Sequence, residues 1–247
     1  MMTMNGSKVK TVLIIILIAV VIGGAGTLAA LLLSDKTEAE VASAVTDELR
    51  GAITPNQNGP NPPDFSALQS MNPEIVAWLT IDGTDISHPI TQASDNDYYL
   101  NHSAKRTRSM YGALFLDYRL SKDFSDPNNI VYGHNMQDSA MFGGLMPFKD
   151  EAFFDSHQTG WLYTLEKSYR LNIFAVSVGS DTSDAYTWSF ESKSVFDEFI
   201  GKIKTDALHK REEPIEWGDK ILTMSTCSYE FEEARTVLYA VINVVKN

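Results

Sequence analysis

From Thr11 to Leu33 the chain carries no charged side chain, and almost every residue is apolar or small. Built as a helix rising about 1.5 Å per residue, the run reaches roughly 34 Å, enough to cross a hydrocarbon core of about 30 Å. Lys8 and Lys10 precede it, and Asp35, Glu38 and Glu40 follow. The positive-inside rule then makes residues 1–34 a cytoplasmic tail and single-pass transmembrane anchor in the cell membrane, with everything beyond exported. The competing reading is a cleaved signal peptide. Ala42 and Ala44 offer a small-residue cleavage site, but they lie well past a run that is longer than an ordinary h-region.

Beyond the anchor, residues 35–50 are polar and compatible with a helix, and Gly51 to Pro63 is rich in Pro, Asn and Gly. Together they form an extracellular helix and linker over residues 35–63. Residues 64–247 remain for one globular domain. Inside it, runs at 75–81, 86–91, 112–117, 129–132, 161–166, 168–178, 220–226 and 235–245 are apolar or alternating, with β-branched and aromatic residues. Eight such runs separated by polar breaks predict a mainly β fold closed into a barrel. One segment differs. Val195, Phe196, Phe199, Ile200 and Ile203 recur at helical spacing, with Ser194 and Asp197 as a start signal, which predicts an amphipathic helix over 194–208 packed on the barrel. A shorter helix is expected over 64–71, ending before Asn72-Pro73.

The net charge of -12 excludes a nucleic-acid partner that would need clustered Lys and Arg. No metal-binding motif and no glycine-rich phosphate loop is present, so neither metal nor cofactor is expected. The single cysteine, Cys227, allows no internal disulfide in an exported domain, and the fold must rest on its core. A lone thiol is either a small buried hydrophobe or a reactive group.

Three residues decide between those two. Cys227 ends the run Ile221-Leu222-Thr223-Met224-Ser225-Thr226-Cys227. Two-residue periodicity puts Leu222 and Met224 on one face, and Thr223, Ser225 and Cys227 on the more polar other. His134 also ends an apolar run, Ile130-Val131-Tyr132-Gly133, where Gly133 permits close backbone approach. The remaining histidines, His88, His102, His157 and His209, sit in polar or loop-like contexts. Arg235 opens the strand after Cys227, and the connection from Ser228 to Ala234 is short enough to bring it back beside the thiol. A thiol attacks only when ionised, which a neighbouring imidazolium favours. A guanidinium can stabilise the oxyanion of an acyl-transfer intermediate.

At these positions the sequence resembles the sortases, and specifically class B. The family's Thr-Leu-Ser-Thr-Cys motif stands here as Thr223-Met224-Ser225-Thr226-Cys227. Its Tyr-Gly-His-Asn stands as Tyr132-Gly133-His134-Asn135, and its Tyr-Glu-rich loop leads through Tyr229 and Glu230 to Arg235. The run Asp95 to Leu100 and the pair Met141-Phe142 are similar too. The resemblance spans roughly residues 64–245. It implies an eight-stranded barrel with N-terminal helices and a long helix between strands six and seven. It also implies transpeptidation. Cys227 would attack the Thr carbonyl of a sorting motif (NPxTx- or SPxTG-like) on a surface protein. A peptidoglycan precursor amine would resolve the thioacyl enzyme, and His134 would protonate the leaving amine. Asn96 and Leu100 match a groove-lining pair, and Thr182, Tyr186 and Thr187 match a loop pattern. Ser225 is a further candidate contact, and no Asp partner for His134 is evident. Met224 in place of Leu is conservative in volume. A pilin polymerase resolving on a Lys, and a cysteine peptidase resolving on water, remain the alternatives, with a non-enzymatic surface scaffold as the third.

Overall fold

The computed structural model describes residues 40–41, 44–45, 47–48, 62–180 and 182–245. The apolar run Thr11–Leu33 and nearly all of the expected spacer lie outside them. Among the described residues no helix is long and apolar enough to cross a membrane. The chain separates into two compact units, Met1–Ser43 and Ala44–Asn247, and the barrel belongs wholly to the second. There, residues 44, 45, 47 and 48 are helical, as the polar composition predicts. Val45 packs on a core cluster containing Leu68 and Trp78, and Glu48 pairs with Lys105 at 2.5 Å.

Among the described residues nine strands form one sheet: β1 (Ile75–Ile81), β2 (Ser87–Thr91), β3 (Leu114–Leu116), β4 (Asn128–Tyr132), β5 (Thr159–Thr164), β6 (Ser168–Ser180), β7 (Ala207–Lys210), β8 (Lys220–Cys227) and β9 (Ala234–Val244). Their order is β5-β1-β2-β3-β4-β8-β9-β6-β7, and β5 also pairs with β6. That last pairing closes eight strands into a barrel and leaves β7 appended outside the ring. The expected eight strands are all present, with ends shifted by at most two residues.

The ninth strand was not expected. Helical spacing carries through to Leu208 in the sequence, yet the long helix stops at Asp206 and the next four residues turn extended. The cause lies in β6. Its first half pairs with β5 only as far as Asn172. The backbone beyond would be an open edge, and β7 covers it at Ala175 to Ser177. The sequence reading also omitted a short helix, Glu151–Ser156, and a 3-10 segment over Phe142–Lys149.

Three α-helices with described boundaries flank the barrel: α1 (Phe65–Met71), α2 (Glu151–Ser156) and α3 (Lys193–Asp206). Asp64 caps α1 by accepting from the amides of Ser66 and Ala67. For α3 the cap is Ser192, which accepts from the Val195 amide, so the start lies one residue ahead of the expected Ser194. Phe196, Phe199, Ile200 and Ile203 form its buried stripe, while Val195, one position off that stripe, is exposed. The stripe packs against Phe174, Ile221, Val237, Tyr239 and Val241. A 14-residue helix cannot fit inside an eight-stranded barrel, so these strand residues mark its outer face. The opposite alternation, Leu222, Met224, Leu238 and Ala240, is buried as well and fills the interior, as predicted for Leu222 and Met224.

The Thr223 and Ser225 face of β8 is not solvated, for both residues are at most 2% exposed. The segment between β6 and α3 covers it, and fully buried Asn128 ties that segment down. Its Nδ2 donates to the carbonyls of Ala185 (3.0 Å) and Thr187 (2.8 Å), while its Oδ1 accepts from the Thr223 hydroxyl at 2.6 Å. Replacing Asn128→Ala strands two carbonyls and a hydroxyl in the interior. We expect it to lower unfolding stability by about 2–3 kcal/mol, read as a shift in urea midpoint.

A second tether holds the β8–β9 loop. Lys149 Nζ lies 2.6 Å from Glu230, with the two side chains 32% and 36% exposed. Burial pushes the Glu230 carboxyl upward, but the Lys149 ammonium and hydrogen bonding outweigh it and hold the group at about 2. The folded value lies below the ordinary 4.5, so this contribution is present above pH 4.5 and is lost as pH falls through about 2. Solvent screening limits it to about 1 kcal/mol. Stability measured from pH 5 to pH 2 is expected to fall less steeply in Lys149→Met than in the parent.

Candidate active site

Strands β4 and β8 lie side by side and parallel, with Asn128 opposite Ile221 and every position in step through Tyr132 opposite Ser225. The Gly133 amide continues the ladder by donating to the Ser225 carbonyl at 3.2 Å. Carried one residue further, that register places His134 beside Cys227. On its other side β8 runs antiparallel to β9, and there Cys227 is paired with Arg235. Three neighbouring strands thus deliver a thiol, an imidazole and a guanidinium at one end of the barrel. Laterally paired residues project from the same face. The three line one groove of about 350 Å³, and Cys227 is exposed within it.

Local structure explains each placement. Gly133 cannot be larger, because a Cβ there would lie 2.4 Å from Leu114 Cδ2 and 2.9 Å from Phe142 Cδ2. His134 is oriented by a backbone group and not by an acid. Its Nε2 lies 2.6 Å from the Leu100 carbonyl. A carbonyl can only accept, so Nε2 carries the hydrogen, which leaves Nδ1 as the nitrogen able to exchange a proton. The Leu100 carbonyl is presented by a single turn, Tyr98–Leu100, whose start Asp95 fixes by accepting from the amides of Asp97 and Tyr98. Gly112, at φ +60°, allows the approach, for a Cβ there would meet the Tyr99 carbonyl at 2.4 Å.

Arg235 is largely covered. Its guanidinium contacts the Ala234 carbonyl at 3.1 Å and Glu233 at 3.3 Å. The Ser228 amide donates to the Ala234 carbonyl at 2.9 Å, and Glu233 adopts φ +58°, so the connection from Cys227 back to Arg235 is a closed loop.

Of the peptide-contact candidates, Asn96, Leu100, Tyr186 and Ser225 line the same groove. Tyr186 donates or accepts at Ser225 Oγ over 2.8 Å and stacks on Tyr132 with ring centroids 6.1 Å apart. Thr187 does not line it, and its carbonyl is one of the two held by Asn128. Thr182 instead borders a second cavity of about 500 Å³ between β6 and α3, with Tyr239 and Lys202. The sequence reading missed Phe115, Arg119 and Tyr132, which also line the groove. In the sequence Tyr132 stands out only as part of the His motif, and a charged or aromatic residue at a strand end gives no further signal of its own. Among the described residues no three His, Cys, Asp or Glu side chains are grouped to hold a metal ion.

No protein-family model matches the chain. Individual relatives do. It is 36% identical to sortase B of Listeria monocytogenes over 193 residues, covering 76% of this chain and 78% of that protein. It is 26% identical to sortase B of Staphylococcus aureus over 184 residues, covering 74% and 75%. Among solved structures, sortase B from B. anthracis superposes with a TM-score of 0.75 at 33% identity, over 85% of this chain and 99% of that one. Sortase B from Clostridium perfringens does so at 0.69 and 32%, over 72% and 99%. Shared sequence over most of both chains and a shared barrel agree, and the chain belongs to the class B sortases, a family of cysteine transpeptidases.

Proposed function

We propose that this chain cleaves a C-terminal sorting motif after its Thr and joins the acyl fragment to a cell-wall amine. It would act outside the membrane, with residues 11–33 as anchor, 35–63 as linker and 64–247 as catalytic domain. The observation that supports this best is that Cys227, paired with Arg235 across β8 and β9, lines one groove with it and with His134, two residues beyond the Tyr132–Ser225 pair.

In this reading Cys227 Sγ, as thiolate, attacks the Thr carbonyl carbon. Negative charge moves to the carbonyl oxygen, and the Arg235 guanidinium stabilises it. The C–N bond then breaks as His134 gives a proton to the departing amine, which leaves a thioester on Cys227. An acceptor amine adds to the thioester, His134 takes up its proton, and the C–S bond breaks to release the new amide and regenerate the thiolate. Asn96, Leu100, Tyr186 and Ser225 form the proposed contacts with the sorting motif. Thr187 acts through its backbone, and Thr182, which faces the other cavity, is left out of that set. Leu100 has two roles, since its carbonyl also orients His134.

The test uses the full chain in detergent with NPxTx-, SPxTG- and LPxTG-like peptides, with and without an amine acceptor. Mass spectrometry should find a thioacyl adduct on Cys227 with one peptide class, and amine-dependent product. Product formed equally without amine would mark a peptidase, and product joined only to a Lys of another protein would mark a pilin polymerase. Turnover that survives in Cys227→Ala would sink the assignment of Cys227 as the nucleophile.

Single substitutions separate the roles. Arg235→Ala is expected to lower kcat by about 10²–10³, the usual effect of deleting an oxyanion donor. His134→Ala is expected to lower it by about 10²–10⁴, the usual share of acid–base catalysis. Both should leave the melting temperature close to that of the parent, since each side chain lies at a strand end.

A further inference from the structure

Asp117 directly follows β3 and is fully buried, yet no step above uses it. Its carboxylate accepts from the Arg119 amide (3.0 Å) and from Arg119 Nε (2.8 Å) and Nη2 (2.7 Å). It also accepts from Asn96 Nδ2 (3.0 Å) and the Tyr132 hydroxyl (3.1 Å). Five donors converge on one acid, and the three residues that supply them, Asn96, Arg119 and Tyr132, all line the groove that holds Cys227. Burial opposes ionisation of Asp117, but these hydrogen bonds and the Arg119 charge prevail, and its carboxyl sits below the ordinary carboxylate range.

Two of these three, Arg119 and Tyr132, reach across to the segment between β6 and α3. The Arg119 guanidinium carbon lies 3.8 Å from the centre of the Trp188 ring, close enough for a strong cation–π contact. Tyr132 carries the stacked Tyr186 ring. The carboxylate therefore sets the angle of two side chains on which Tyr186 and Trp188 rest.

We infer that Asp117 is a positioning residue for peptide binding, fixing through Tyr132 the Tyr186 ring, which lines the groove of Cys227, and through Arg119 the nearby Trp188 ring. The inference rests on the transpeptidase reading for its kinetic consequence but not for its structural one. A preorganised wall acts on substrate binding, whereas the thiol, the imidazole and the Arg235 guanidinium are held by the barrel ladders.

The test therefore has two arms, both with the full chain. In the first, amide hydrogen exchange is followed over residues 184–190. Asp117→Asn, and separately Trp188→Leu, should speed exchange there at least tenfold with β4, β8 and β9 unchanged, while Trp188→Phe, which keeps an aromatic face, should stay near the parent. In the second, KM for the preferred sorting peptide should rise at least tenfold in Asp117→Asn and Trp188→Leu. The rate of Cys227 alkylation by iodoacetamide, a probe too small to need the wall, should stay within twofold. Arg119→Gln combined with Asp117→Asn should be no worse than Asp117→Asn alone, because that change already releases Arg119. Faster exchange in a chain whose parent never turns over a peptide would uphold the positioning role and remove only the functional reading. Parent-like exchange and KM in both Trp188→Leu and Arg119→Gln would overturn the inference, even where Asp117→Asn does not fold.

Discussion

The parallel pairing of β4 with β8 is the constraint on which the rest depends. The strands are distant in sequence, and only a ladder with Asn128 opposite Ile221 brings His134 level with Cys227. Register in a sheet has a period of two, so a slip of one residue would turn either side chain to the opposite face. What prevents the slip is burial. Val131 and Met224 face the interior together, and both are fully buried. Alignment of the reactive groups is therefore a by-product of core packing several residues away, and it needs no direct contact between thiol and imidazole to enforce it.

A parallel pair requires a crossover, and here the crossover carries much of the domain: α2, β5, β6, α3 and β7 all lie between β4 and β8. Its last part returns over the outer face of β8. That return explains why Thr223 and Ser225 are buried although they share a face with an exposed cysteine. The cover is complete along most of the strand and gives way at its end, where the groove opens. A polar outer face under a protein cover must be hydrogen-bonded, and Thr223 to Asn128 and Ser225 to Tyr186 are those bonds.

This division marks how far the sequence could be read. His134 and Cys227 each end an apolar or alternating run and Arg235 opens one, which marks them as strand-end residues, while the inter-strand register brings them to one groove. Motif resemblance then supplied their roles. The barrel followed from eight runs, and α3 from its apolar spacing. Strand β7 was hidden because Ala207 and Leu208 continue a helical pattern locally, and only the uncovered edge of β6, a tertiary fact, makes them extended. The orienting partner of His134 was hidden for a different reason. It is a backbone carbonyl at Leu100, and no side-chain motif can announce it. Asp117 reads in sequence as an ordinary acid after a short strand, since its donors come from residues 96, 119 and 132 and meet only in the folded chain.

The Asp117 cluster also bears on why a barrel with ample apolar core keeps a charged pair beneath its groove. Burying an ion pair is a weak source of stability, and apolar replacements of similar volume often do as well or better. A carboxylate with five donors is costly to desolvate, but it admits one geometry where an apolar contact admits many. Backbone tethers from Asn128 hold the covering segment at Ala185 and Thr187 without fixing where its rings point. The rings of Tyr186 and Trp188 take their orientation from Tyr132 and Arg119, and those two take theirs from Asp117. The loop is thus held twice, at its backbone by Asn128 and through its rings by Ser225 and the buried acid, and loss of either hold frees it.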